Sequence, residues 1–224
     1  MADCDVIAQY ADGAAAVTHA LRLVVTYMLR VQAHDEVARE YAPLAIRGSG
    51  ARADAHPPGS ALLVFDIDDT LLFDVGEDAP RAQTVIPHQD VVDLMRRTHQ
   101  LGAEIHLVTA RLNDRDMLAE TRHELERLGL GGMYASLTLA PARARTSMTA
   151  VSRWKMAQRR RIASERHCAV TLTVGDQWGD MVALGDDDDI DALDDRFAAH
   201  TLPYIIVRPR DNVSLWGLKL PAYT

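Results

Sequence analysis

Between Val17 and Val31 the apolar residues Val17, Leu21, Val24, Val25, Met28 and Val31 recur mostly at three- and four-residue steps, which predicts a helical pattern from about Val6 to Ala45. The stretch "RGSGARADAHPPGS", Arg47 to Ser60, is rich in Gly, Pro and Ser and reads as a linker. Beyond Ser60 the period changes. Short apolar or β-branched runs predict strands at 61–66, 103–109, 134–139, 169–175 and 204–208, and 3.6-residue patterns predict helices at 88–100, 114–129, 152–165 and 190–199. Runs such as "LVTA" and "VTLTV" lack the apolar/polar alternation of a half-exposed strand, so both of their faces are expected to be covered.

Strands separated by helices indicate parallel βαβ units with right-handed crossovers. The expected fold is therefore α/β: a doubly wound, Rossmann-like parallel sheet of about five strands with helices on both faces. An N-terminal helical segment (1–46) precedes it, a linker (47–60) follows, and residues 61–224 form the core domain, with no large cap inserted.

Composition narrows the function. With 224 residues, 48% of them apolar, the chain has the material for one well-cored domain. A formal charge of −8 disfavours extended nucleic acid and anionic membrane as partners. Cys4 and Cys168 are too few for a disulfide framework, so a reducing compartment is expected. Asp3 and Asp5 stand where a signal peptide carries positive charge, and His19, Arg22 and Arg30 interrupt the apolar run Ala14 to Val31. These features point to a cytoplasmic protein whose first helix packs on a neighbour. Lysine is rare, limited to Lys155 and Lys219 among 24 basic residues.

In a doubly wound sheet, ligands bind beyond the carboxyl ends of the strands. The residues there are Asp66 and Asp68 after the first strand, Thr109 and Arg111 after the second, and Asp176 and Asp180 after the fourth. The third strand leads through "APARARTSMTAVS" to Lys155, near the start of its helix if Ser152 is the N-cap. In "LLVFDIDDTLLFD" an apolar strand runs into clustered carboxylates, which repel one another unless a cation offsets them. Carboxylates at one rim suit Mg2+, whereas a hydroxyl and an ammonium suit the non-bridging oxygens of a phosphoryl group.

Four motifs in this order resemble the haloacid dehalogenase (HAD) superfamily: "DIDDT" its DxDxT motif, "IHLVTAR" its strand-Thr motif, Lys155 its lysine, and "VGDQWGD" its GDxxxD motif. Within it the chain looks most like the class B and class C acid phosphatase group. The resemblance covers roughly Leu62 to Arg208 and implies a Mg2+-dependent phosphomonoester hydrolase with an aspartyl-phosphate intermediate. It implies Asp66 as nucleophile and metal ligand, and Asp68 as general acid and base whose backbone carbonyl binds metal. Asp176 becomes a direct metal ligand and Asp180 a second-shell or water-mediated one. Thr109, Lys155 and, as a further candidate, Arg111 bind phosphate. The substrate class implied is a small phosphorylated molecule.

Two other readings stay open: a phosphatase of nucleotide or nucleic-acid ends, and a non-catalytic storage or binding protein of the same fold. Oligomeric state is not specified by the sequence. With no room for a large cap at either usual insertion point, the N-terminal helices are the remaining candidate for a lid. Several features find simpler readings. The acidic run from Gly185 to Asp195 reads as a solvated loop entering a helix, Arg159 to Arg161 as a solvated face, and His106 as a core histidine. Trp154 and Trp178 fit either a substrate wall or core packing.

Overall fold

The computed structural model describes residues 4–41, 61–74, 85–182, 184–185, 190–197, 199 and 201–221. The linker and the acidic run Asp186 to Asp189 lie outside the described residues. The protein is α/β, built on a seven-stranded, mostly parallel sheet with helices on both faces.

The parallel core consists of β2 (Leu62–Phe65), β5 (Glu104–Leu112), β6 (Ser136–Ala140) and β7 (Val170–Gly175). β2 lies between β5 and β7, with Leu63 opposite Ile105 on one side and Leu172 on the other. The chain steps outward from β2 to β5 to β6 and then returns to the far side as β7, so strand order reverses beside β2. That reversal opens a crevice at the carboxyl ends of β2 and β7.

The alternation of side chains along these strands builds two cores. On one face Leu63, Phe65, Ile105, Leu107, Leu172 and Val174 meet α1 (Gly13–Tyr41), α2 (Gln89–Gln100) and α3 (Arg115–Arg127), through Val24, Met95 and Leu125 among others. On the other face Leu62, Val64, Val108 and Val170 meet Ile162 of α4 (Met148–Arg166). α1, α2 and α3 lie on one side and α4 on the other because the chain reverses direction across the sheet while each crossover stays right-handed.

Five strands depart from the expected outline. The N-terminal segment is not wholly helical: β1 (Cys4–Tyr10) pairs antiparallel with β8 (Tyr204–Pro209) at the sheet edge. The predicted fifth strand is β8, but it runs antiparallel. The parallel position beside β7 belongs to β9 (Ser214–Lys219), which pairs with β8 through a turn at Asn212 (φ +56°). Between the first two core strands, β3 (Leu72–Asp74) and β4 (Val85–Pro87) form a small antiparallel hairpin.

α1 is capped by Asp12, whose carboxylate accepts from Ala14 N and Ala15 N at 3.2 and 3.1 Å. Its segment Gly13–Gln32 is long and apolar enough to cross a membrane by length and composition alone. In the structure its Ala16, Ala20 and Val24 are buried in the main core. α1 thus covers a face of the sheet.

Burial of Val17, Val24 and Met28 contributes about 1.5–3 kcal/mol each, and β1 closes one sheet edge. A variant lacking residues 1–41 is therefore expected to bind a hydrophobic dye and to lose its cooperative thermal transition. A soluble truncation with unchanged Tm would show that α1 and β1 do not support the core.

Candidate active site

The end of β2 sets the centre of the site. Asp66 follows Phe65 directly, its backbone N–H donating to Val174 O at 2.9 Å, so its carboxylate emerges between β2 and β7. It is 7% exposed. The next residues fold into a tight turn in which Leu71 and Leu72 N–H groups donate to Ile67 O and Asp69 takes a positive φ of 54°. Asp68 and Thr70 are thereby presented at the same rim.

Lys155 arrives from the opposite face on α4. Its N-cap is Ser147, which accepts from Ala150 N at 3.1 Å, and not Ser152 as the sequence suggested. Lys155 consequently sits two turns into the helix. Its Nζ lies 3.0 Å from Asp66 Oδ2 and also pairs with Asp180 Oδ1. Burial opposes the ammonium charge, but Asp180 and Asp66 outweigh it and raise the pKa of Lys155, so it stays charged. Ser152 has a different task. Its hydroxyl donates to Val182 O and accepts from Leu184 N, fastening the segment after the fourth core strand to α4.

Asp176 directly follows β7, and Asp180 lies in the one-turn helix α5 (Trp178–Met181). Asp180 Oδ2 accepts from Gln177 N at 3.0 Å, and Asp176 Oδ2 accepts from Gln177 Nε2 at 2.6 Å. Thr70 Oγ1 approaches Asp176 Oδ1 at 3.5 Å. The glycines of "VGDQWGD" reflect close approach. A Cβ on Gly175 would stand 2.3 Å from Asp180 Oδ2, and one on Gly179 would stand 2.9 Å from Ser152 Cβ. A side chain at Gly175 would push the Asp180 carboxylate out of its seat, and one at Gly179 would press on Ser152 of α4.

Oxygen atoms of Asp66, Asp176 and Asp180 lie within 4.8 Å of one another, a spacing that could hold a metal ion. The donor set is all hard oxygen, as Mg2+, Mn2+ or Ca2+ requires. Asp66 Oδ1 is buried without a hydrogen-bond partner, which fits a ligand atom awaiting a cation. Both Asp180 oxygens are engaged by protein donors, which fits an outer role for it. Burial, with Lys155 acting against it and Asp180, Asp176 and Asp68 adding to it, holds Asp66 well above the usual carboxylate range. Burial and Asp180 push Asp176 up to about 7.

Arg111 and Thr109 lie within β5, where the pairing with β6 shifts register between Thr109 and Leu112. Thr109 Oγ1 is 3.4 Å from Asp68 Oδ2. Arg111 does not present a free fork to a phosphate. Its Nε lies 3.1 and 3.0 Å from the two Asp68 oxygens, and its Nη2 lies 2.8 Å from Oδ1. Its Nη1 donates to Glu124 Oε2 and Thr121 Oγ1 of α3 at 2.5 and 2.9 Å. These contacts link Asp68 to α3 through Arg111.

Sequence reasoning missed Glu124, Thr121, Thr70 and Arg159. Of the Arg159–Arg161 run, Arg160 and Arg161 are exposed, but Arg159 is 1% exposed and donates to the main-chain carbonyl of Asp180. Burial lowers its pKa to about 10. Thr121, Glu124 and Leu125 share the buried face of α3, so Glu124 occupies a position where an apolar residue is the usual choice. His106 is a satisfied core histidine, bonded to Ser136 Oγ at 2.6 Å and Glu104 Oε1 at 2.7 Å.

No family model matches the chain, and no curated protein matches it in sequence. Solved structures give distant likenesses. A structure of a Pnkp1/Rnl/Hen1 complex is 14% identical with a TM-score of 0.42, covering 61% of this chain and 46% of that one. A hydrolase from Streptococcus pneumoniae TIGR4 is 13% identical with a TM-score of 0.39, covering 62% and 98%. An uncharacterized protein from Listeria monocytogenes serotype 4b is 10% identical with a TM-score of 0.36, covering 58% and 84%. The chain thus spans less than half the length of the first of these. Likeness at this distance transfers neither activity nor substrate.

The clustered carboxylates predict a pH-dependent stability. Burial and Asp180 push the folded-state pKa of Asp176 up to about 7 from the ordinary 3.8, so between these values the folded state binds more protons than the unfolded one. Metal-free protein should therefore lose stability as pH rises from about 4 to about 7, with Asp66 contributing in the same direction. A divalent cation should raise Tm more at about pH 8 than at about pH 5, because protonated carboxylates do not bind it. Equal shifts at both pH values would reject the cluster as the binding site.

Proposed function

We propose that this protein is a Mg2+-dependent phosphomonoester hydrolase of the haloacid dehalogenase type, related to the class B and class C acid phosphatases, acting through an aspartyl-phosphate on Asp66. One observation carries the reading. At the strand-order reversal, Asp66 is buried beside the Lys155 ammonium at 3.0 Å and keeps one carboxylate oxygen free of protein donors. A structural carboxylate at a strand end would have both oxygens satisfied.

Asp66 and Asp176 would hold the cation, with the backbone carbonyl of Asp68, and Asp180 would support them from behind. Bound there, a divalent cation supplies charge neutralisation for the phosphoryl oxygens and orients the phosphate. A carboxylate oxygen of Asp66 attacks phosphorus, the bond from phosphorus to the ester oxygen breaks, and the leaving oxygen takes a proton from Asp68. In the second half-reaction Asp68 takes a proton from water, water oxygen attacks phosphorus, and the Asp66–phosphorus bond breaks to release phosphate. Lys155 and Thr109 stabilise the non-bridging oxygens. Lys155 also favours the ionised form of Asp66, which attack demands.

Asp68 stands in an ion pair with Arg111, the form that receives a proton. Its side chain is 38% exposed, so solvent can protonate it before the first half-reaction and water can reach its ionised form in the second.

The reading is tested with a panel of phosphomonoesters, with added Mg2+ and with chelator. Hydrolysis of an aryl phosphate should require the metal. Asp66→Asn should abolish turnover and phosphoenzyme formation. Asp68→Asn should release about one equivalent of nitrophenolate and then stall, because a good leaving group needs little protonation while water attack still needs a base. An adduct of phosphate mass should then appear on the peptide carrying Asp66. Sustained turnover by Asp66→Asn would refute the covalent route. Absence of turnover on every member would favour a binding protein.

A further inference from the structure

Lys219 and Trp178 are not used by the chemistry above, yet both are buried at the rim that carries it. Lys219 ends β9 and pairs in register with Gly175, the residue immediately before Asp176. Its side chain is 4% exposed. Its Nζ donates to Leu220 O at 3.2 Å, lies 3.6 Å from Asp194 Oδ1, and stands 5.4 Å from the centre of the Trp178 ring. The same Asp194 oxygen accepts from Trp178 Nε1 at 2.8 Å. Ammonium, carboxylate and indole thus close a triangle. Asp194 belongs to α6 (Ile190–Arg196), which begins directly after the acidic run.

Trp178 sits midway between Asp176 and Asp180 in sequence and is fully buried. The helix it opens, α5, has four residues, and one turn of helix does not hold itself together. Its shape has to be imposed from outside. From α4 come Ser152, Lys155 and Arg159, which bond Val182 O, the Asp180 carboxylate and the Asp180 carbonyl. On the other side the triangle ties the indole to strand β9, the rigid neighbour of β7. A buried ammonium without a partner is costly, and here one carboxylate and one aromatic face supply the compensation.

We propose that Lys219 is a positioning residue for the metal-bearing turn, acting through Asp194 and the Trp178 indole to fix Asp176 and Asp180. The proposal rests on the carboxylate cluster being a cation site, but it makes a separate claim about the turn itself. It also gives Asp194, in the acidic stretch, a structural task, and makes Trp178 a strut and not a substrate wall.

The test uses the full chain with Lys219→Met, Lys219→Arg and Trp178→Phe, the last keeping an aromatic ring while removing the indole N–H. In metal-free protein, hydrogen exchange is followed at the amides of Gln177, Asp180 and Val182, which bond Asp180 Oδ2, Gln177 O and Trp178 O. Lys219→Met and Trp178→Phe should each speed exchange there by about tenfold relative to the core strands, and weaken Mn2+ binding in calorimetry by about tenfold. Lys219→Arg should recover most of both. Unchanged local exchange and Mn2+ affinity in Lys219→Met and Trp178→Phe, with or without a lower Tm, would overturn the proposal and reduce the triangle to core packing. If Lys219→Met fails to fold, Trp178→Phe decides. If the unaltered protein binds no Mn2+, the cation reading fails by itself, and the exchange measurement still decides the positioning role.

Discussion

A charged lysine enclosed in protein is the interaction on which the rest of this molecule turns. Lys155 lies between Asp66 and Asp180, all three almost shielded from water. Stripping water from any one of these charges alone costs several kcal/mol, so each is tolerable only because the others are in contact. The contact fixes the architecture. α4 has to cross the face opposite α1, α2 and α3 and bring Lys155 under the crevice between β2 and β7. Gly175 has to lack a side chain, because the Asp180 carboxylate lies where its Cβ would be. With one ammonium facing Asp66, Asp176 and Asp180, negative charge remains in excess, and burial together with that excess raises the pKa values of Asp66 and Asp176.

The parallel core was legible because buried strands and the groups at their ends announce themselves differently. β2, β5 and β7 are apolar on both faces, and the polar residues that follow them have no structural reason to cluster. Hence Asp66, Asp68, Thr109, Asp176, Asp180 and Lys155 were identifiable as a set, and they do converge. What was illegible depended on partners far away in sequence. β1 carries only seven residues beside a strong helical pattern, and its pairing with β8 adds backbone bonds that leave no periodic trace. β9 is six residues long with Gly217 inside it, and its place beside β7 depends on the Asn212 turn, so it carries little strand signal of its own.

Polar residues buried inside helices posed a different difficulty. Arg159, Glu124, Thr121 and Ser152 are chemically suited to a solvated face, and a helix pattern assigns them there. Each is held inside by one specific partner: Asp180 O for Arg159, Arg111 for Glu124 and Thr121, and the Val182 and Leu184 backbone for Ser152. The Ser147/Ser152 ambiguity had the same origin. Both serines suit an N-cap, and only the tertiary bonds of Ser152 show that it lies inside the helix.

The two halves of the site differ in rigidity in a way that suits their tasks. Asp66, Asp176 and Asp180 are at most 7% exposed and are held by α4, by the turn amides and by the strand ends. In the proposed reaction a nucleophile and metal ligands would gain from this, because displacement at phosphorus tolerates little error in the approach of the attacking oxygen. In the proposed reaction Asp68 would change protonation state twice per cycle, and a carboxylate sealed in the same way could not do so quickly. Its placement resolves the conflict. Arg111, braced from behind by Glu124 and Thr121, sets its direction through a two-pronged contact, while its open side faces water. Orientation is thus supplied by a buried guanidinium and proton access by exposure, with neither obtained at the expense of the other.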